Sequence, residues 1–237
     1  MDRNSNVYTF IYASVMVIVV AALLSFAAIN LKPFQQKNVD IEKKQNILAS
    51  VNIIADVQHA EDIYSEKVVN SYVVNYKGEK VKGDAFDVNM KKEHAKPVDE
   101  RNLPVYECQV DGGTKYILPV YGTGLWGPIW GYIALDSDMN TIYGATFDHQ
   151  GETPGLGAEI ATKHFQSQFK GKSIFDENGT FTSIVVAKSN ETAPAEHRVD
   201  AVSGGTITSK GLQKMLLTDF GAYQAFFKQK KSEGNER

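Results

Sequence analysis

Cysteine is nearly missing from this chain: Cys108 is the only one among 237 residues. A lone thiol excludes an intramolecular disulfide, and it excludes any iron–sulfur cluster or zinc site built from cysteines of this chain alone. The five histidines, His59, His94, His149, His164 and His197, form no HxxxH or HxH pair. They read as solvated surface imidazoles, and no metal site is expected. A basic surplus is also lacking, since 25 Lys and Arg stand against 28 Asp and Glu for a net charge of -3. With no cluster of basic and aromatic residues either, nucleic acid is excluded as a partner. No GxGxxG stands at a strand-to-helix turn, so a dinucleotide site is not expected on this chain. Ser203 sits in no GxSxG elbow, and no histidine or acid has a recognisable partner spacing, which argues against a hydrolase. No catalytic residue is therefore assigned.

What the chain does have is one long apolar run. Val7 to Ile29 reads VYTFIYASVMVIVVAALLSFAAI without a charge. About 23 residues at ~1.5 Å rise reach ~34 Å, enough for a ~30 Å hydrocarbon core. The run is longer than a signal-peptide core and its flank is Asp2–Arg3 rather than a basic cluster, so it reads as an uncleaved anchor in a lipid bilayer. Pro33 is expected to stop the helix. Lys32, Lys37, Lys43 and Lys44 follow the span, whereas only Arg3 and the terminal amine precede it. By positive charge alone the large domain belongs on the cytoplasmic side.

The chain divides into a short tail (1–6), a transmembrane helix (7–31), a helical and strand lead-in with a charged excursion (32–100), a compact domain (101–228) and a polar tail (229–237). In the lead-in, the spacing of Ile47, Leu48, Val51, Ile54, Ala55 and Val57 predicts an amphipathic helix within 41–69. A strand is expected over Tyr72–Tyr76, and the KKEHAK segment of the 77–101 excursion reads as solvated. Pro104–Val110, Thr114–Val120, Ile129–Leu135 and Thr141–His149 read as an antiparallel meander, with turns at Asp111-Gly112-Gly113 and Asp136-Ser137-Asp138. Helices are expected over Ala158–Phe169, with Ile160, Ala161, His164 and Phe165 on one side, and over Thr208–Phe227, with a strand over Phe181–Lys188. The fold class is α+β: an antiparallel sheet with flanking helices, preceded by one transmembrane helix.

The most informative segment is DAVSGGTITS, Asp200 to Ser209, which opens the last helix. Gly204 and Gly205 let backbone N–H groups approach an anion, and the helix start adds unpaired donors and a positive dipole end. A phosphate would suit it. From spacing alone, Ser203 or Thr206 capping the helix serves equally well.

Asp200-Ala201-Val202-Ser203-Gly204-Gly205-Thr206 resembles the D-x-x-(S/T)-G-(A/G)-T flavinylation motif of FMN-binding domains in respiratory membrane complexes. Gly205 stands where alanine is more frequent, a loss of one methyl. Two further blocks, GTGLWGPIWG at 122–131 and GETPGLGAE at 151–159, are similar to the C-type subunits of sodium-translocating NADH:quinone reductases, and with the single span the resemblance covers essentially the whole chain. The related G-type subunit of the Rnf electron-transport complex shares the flavinylation motif and is the alternative. A membrane-tethered, non-redox binding module, its SGGT a mere helix cap, is the alternative of another class.

The resemblance implies that 101–228 is an FMN-binding domain carrying one covalent FMN, joined through its phosphate to the Thr206 hydroxyl by a flavin transferase that uses FAD. It implies a periplasmic domain on the bacterial inner membrane, against the lysine count. It also implies partner subunits: small metal-binding membrane subunits that deliver electrons, and a large membrane subunit with a second covalent FMN that receives them. The complex oxidises NADH, reduces quinone and exports sodium. A flavin ring wants apolar walls and a few placed donors. Leu125, Trp126 and Leu156 are candidate walls, Glu152, Thr153 and Gly155 candidate polar or backbone contacts, and Lys188 a candidate for the phosphate. Trp126 and Trp130 as core anchors, Pro154-Gly155 as a plain turn and Lys188 as a solvated side chain stay open beside these roles.

Overall fold

The computed structural model describes residues 5–235, so Asp2, Arg3 and the last two residues of the tail lie outside it. The chain divides into two units, 1–43 and 44–237. Helix α1 (Asn6–Ser50) accounts for the described part of the first. Its most apolar window has a mean hydropathy of 2.5 and buries no residue, with Phe10, Val17, Leu23 and Phe26 all open. This is a helix long and apolar enough to cross a membrane. Pro33 does not stop it. A proline deletes one N–H and crowds one carbonyl, and a long helix keeps its rungs on both sides of that gap.

In the second unit, α1 ends at Ser50, and Asn52 turns the chain at φ 62°. The lead-in expected to be one amphipathic helix is therefore broken: Ile47, Leu48, Val51 and Ala55 are buried, whereas Ile54 and Val57 are open. Helix α2 (Ala60–Lys67) follows, then β1 (Val68–Val74), which starts earlier than expected. After β2 (Lys80–Val81), the excursion forms α3 (Met90–His94). Strands β3 (Leu103–Val110), β4 (Gly113–Thr123), β5 (Pro128–Leu135) and β6 (Ile142–His149) complete a six-stranded antiparallel sheet in the order β2-β1-β3-β4-β5-β6. This is the expected meander. Asp111 and Gly112, both at positive φ, make its two-residue turn.

Period-two alternation gives the sheet two buried faces. Ile117, Tyr132 and Ala134 face the end of α1 in one cluster, while Leu118, Val120, Ile133 and Leu135 face the opposite way. That second core is covered by α5 (Thr206–Ala222) and α6 (Gln224–Asn235), with Leu212, Met215, Leu216, Phe220 and Phe227 buried in it. The last helix thus starts at Thr206, breaks at Tyr223, and continues through Lys228 into what reads as a polar tail.

Two other segments depart from their patterns. Residues 157–169 form a 3-10 turn, a short α4 (Lys163–Gln166) and another 3-10 turn rather than one helix, and His164 is exposed. Of the strand expected over 181–188, only β7 (Val185–Ala187) forms, paired in parallel with β8 (Arg198–Asp200). Nor are all histidines solvated. His197 is buried, with Nδ1 2.6 Å from the Ser173 carbonyl. His94, in the KKEHAK segment, lies 2.5 Å from the buried Asp219 carboxylate. A charge run can anchor an excursion when it meets a buried counter-charge, and periodicity does not register that.

Candidate functional site

The flavinylation-like motif leads into helix α5, and the position of that helix is fixed by how closely it lies on β4. A Cβ on Gly211 would strike the Thr123 carbonyl, and one on Gly122 would strike Met215, so both glycines are close-approach positions. Asp219, further along α5, accepts the Tyr121 N–H of β4 at 2.8 Å as well as bonding to His94. Burial pushes the Asp219 carboxyl up, opposed by His94, by the Tyr121 N–H and by Arg101. Together these hold the helix start beside the end of β4.

At that start Gly204 turns at φ 73°, with the Leu156 side chain filling the place a Cβ would need. Gly205 is the N-cap and no side chain caps the helix. Among the described residues neither the Ser203 nor the Thr206 hydroxyl has a hydrogen-bond partner. The capping role, open from sequence, is therefore not what this segment does. Thr206 is exposed in the first turn, where backbone N–H groups lack intrahelical acceptors and the dipole is positive.

Two clefts meet at Thr206 and Gly204. The first, of about 360 Å³, is walled by Leu125, Trp126, Leu156 and Ile207, with Glu152, Thr153, Gly157, Gly205 and Thr208 completing it. Its apolar walls are open to solvent, Trp126 being 69% exposed and Ile207 57%. Trp126 is thus no core anchor; Trp130, on β5, is half-buried. The tight connection that presents Leu125 and Trp126 is closed by the Gly124 N–H to Gly127 carbonyl bond at 2.8 Å.

The second cleft, of about 600 Å³, is polar and is lined by Lys188, Ser189, Asn190, Arg198, Asp200 and Ser203. Arg198 reaches the Lys188 carbonyl at 3.3 Å and the Asp200 carboxylate at 3.2 Å. The backbone N–H of Asp200 donates to Gln168 Oε1 at 2.8 Å, which ties the chain leading into the motif to Gln168. Lys188 is exposed, and its ammonium makes no hydrogen bond among the described residues.

Of the residues singled out from sequence, Leu125, Trp126, Glu152, Thr153, Leu156, Gly204, Gly205 and Thr206 come together at the first cleft, and Lys188, Asp200 and Ser203 at the second. Gly155 lines neither. It takes the positive φ of the turn closed by the Leu156 N–H to Thr153 carbonyl bond, as a plain turn would. Sequence reasoning missed Ile207, Thr208 and Arg198. The alternation Thr206-Ile207-Thr208 across the first helical turn was the available signal for the first two.

A protein-family model described as an FMN-binding domain matches residues 124–218, the stretch that holds both clefts. The C-type subunit of the Na(+)-translocating NADH-quinone reductase of Haemophilus ducreyi is 32% identical over 96% of this chain and 96% of that one. The chain belongs to this C-type family. The Neisseria meningitidis member is 32% identical over 98% of this chain and 97% of its own. The crystal structure of the Parabacteroides distasonis member is 48% identical and matches with a TM-score of 0.78, over 83% of this chain and 96% of that one. The relatives are named as subunits of an oxidoreductase complex, and this chain shares the FMN-binding domain and an N-terminal helix fit for membrane association.

Proposed function

We propose that this chain carries one FMN covalently on Thr206 and passes electrons between other subunits of a membrane-bound, sodium-translocating NADH:quinone reductase. The observation that carries the attachment is an exposed threonine hydroxyl with no hydrogen-bond partner among the described residues, at a helix N-terminus where an apolar and a polar cleft meet. The donor is FAD, bound by a flavin transferase. The Thr206 Oγ–P bond forms, the P–O–P anhydride of FAD breaks, AMP leaves, and the hydroxyl proton passes to the transferase. The α5 N–H groups and dipole favour the phosphate, and Lys188 supplies a nearby positive charge. Leu125, Trp126, Leu156 and Ile207 form the surface against which the ring packs, which would cover side chains otherwise left to solvent.

Bound FMN supplies the redox chemistry, and this chain orients it and shields one side from water. NADH binds another subunit. Small metal-binding membrane subunits deliver the electrons and a large membrane subunit with its own covalent FMN receives them. A covalent bond removes the dependence on free cofactor concentration, which supports a domain on the periplasmic side of the inner membrane, where free FMN is scarce. Co-expression with a flavin transferase, followed by intact mass measurement, tests the reading. One FMN monophosphoryl adduct on the wild type and none on Thr206→Ala is the expected result; an unmodified wild type beside an active transferase overturns it.

A further inference from the structure

The apolar cleft is tied together by one buried carboxylate. Glu152 is 4% exposed. Its Oε1 accepts the Trp126 backbone N–H at 2.8 Å, its Oε2 accepts the Thr208 hydroxyl, and its own N–H donates to His149 Nδ1 at 3.2 Å. Three segments remote in sequence thus meet on one side chain: the β4–β5 connection, the 151–157 loop and the first turn of α5. Two glycines make room for it, because a Cβ on Gly124 would collide with Oε1 and a Cβ on Gly157 with Oε2 and the Thr208 hydroxyl. Burying a carboxylate is costly unless its oxygens are hydrogen-bonded. Here both are, and both bonds run to segments that wall the cleft.

We propose that Glu152 is a positioning residue: it locks the Trp126 loop to the helical turn bearing Thr206, so that wall and attachment point keep a fixed relation and the flavin ring is held in one orientation. This rests on the FMN reading above. Glu152 is 4% exposed and each of its oxygens accepts a protein donor, so the carboxylate acts through the walls of the cleft. Glutamine can rebuild the arrangement, its amide oxygen accepting from the Trp126 N–H and its NH2 donating to a rotated Thr208 hydroxyl. Leucine can make neither bond.

The test uses the full chain carrying Trp130→Phe, which removes one of the two tryptophans and leaves Trp126 as the sole indole reporter. Trp126 fluorescence anisotropy is read before flavinylation, and visible circular dichroism of the flavin after it. Glu152→Gln is expected to match the parent in both. Glu152→Leu is expected to lower the anisotropy and lose most of the flavin dichroism while keeping the full FMN mass. Thr208→Val, which removes only the helix bond, is expected to fall between them and serves if the leucine variant fails to fold. A glutamine variant as impaired as the leucine one would overturn the proposal in favour of a charge role. Leucine and valine variants that retain both signals would overturn it outright. A parent that accepts no FMN would sink the FMN reading, and this proposal with it, whatever the anisotropy shows.

Discussion

The two clefts that meet at Thr206 are built in opposite ways. The apolar one is made of loops far apart in sequence, pinned by a buried carboxylate, with glycines cleared out of its path. The polar one is a surface trough between β7, β8 and the motif, floored by an exposed arginine–aspartate pair of the kind that contributes little to stability. A rigid wall suits a flat ring whose orientation matters, and an open charged trough suits a phosphate that a second enzyme must reach. On the proposed FMN reading, the difference places the ring on the Trp126 side and the phosphate on the Lys188 side.

Loosening the helix that both clefts share should have the largest effect. Asp219→Ala leaves His94 and the Tyr121 N–H without their acceptor, and should cost about 3–5 kcal/mol, read by denaturant unfolding. An alanine at Gly157 should break the apolar side alone. Its Cβ would enter the Glu152–Thr208 contact, with an expected cost of about 1–3 kcal/mol, whereas Gly151→Ala, with open space around it, should stay within about 0.5 kcal/mol of wild type. Function should separate in the same manner. Trp126→Ala is expected to change the flavin's absorption and fluorescence with little effect on the extent of FMN addition, and Lys188→Ala to slow FMN addition while leaving the spectrum intact; time-resolved mass spectrometry and spectroscopy of the two variants decide it.

The smallest effect lies away from both clefts, at Glu93, next to the histidine that holds Asp219. Burial pushes this carboxyl up, but the Asn102 N–H and the Lys96 ammonium outweigh it and hold it below its usual value. A depressed carboxyl contributes stability that is present above the ordinary glutamate pKa and lost as pH falls through the folded value. Glu93→Gln should therefore flatten the acid limb of the stability profile below about pH 4.5 and leave the clefts unchanged.

The meander was legible because β3 to β6 alternate cleanly and Asp111-Gly112 offers positive φ where the hairpin needs it. The motif at 200–206 was legible because its glycines and hydroxyls are contiguous. What escaped was whatever depends on partners remote in sequence. Glu152 reads as a polar contact to the flavin, and its role as a tie between segments stays hidden until Trp126 and Thr208, 26 and 56 residues away, are brought to it. His94 reads as a surface imidazole until Asp219, 125 residues on, meets it. The broken segment 157–169 has a helical spacing of apolar residues, yet Gly157 must pass close to Glu152 and the chain takes 3-10 turns there.

The FMN reading turns on which atom carries the phosphate. Fragmentation mass spectrometry of the peptide spanning Asp200 to Lys210, from protein co-expressed with its flavin transferase, tests it most directly, because Ser203, Thr206, Thr208 and Ser209 all offer hydroxyls within it. The expected result is the FMN monophosphoryl mass on Thr206 alone, since Thr208 and Ser209 are buried and Ser203 precedes the helix start. The mass on Ser203 or Thr208, or on none of them while the transferase modifies another substrate, would contradict it.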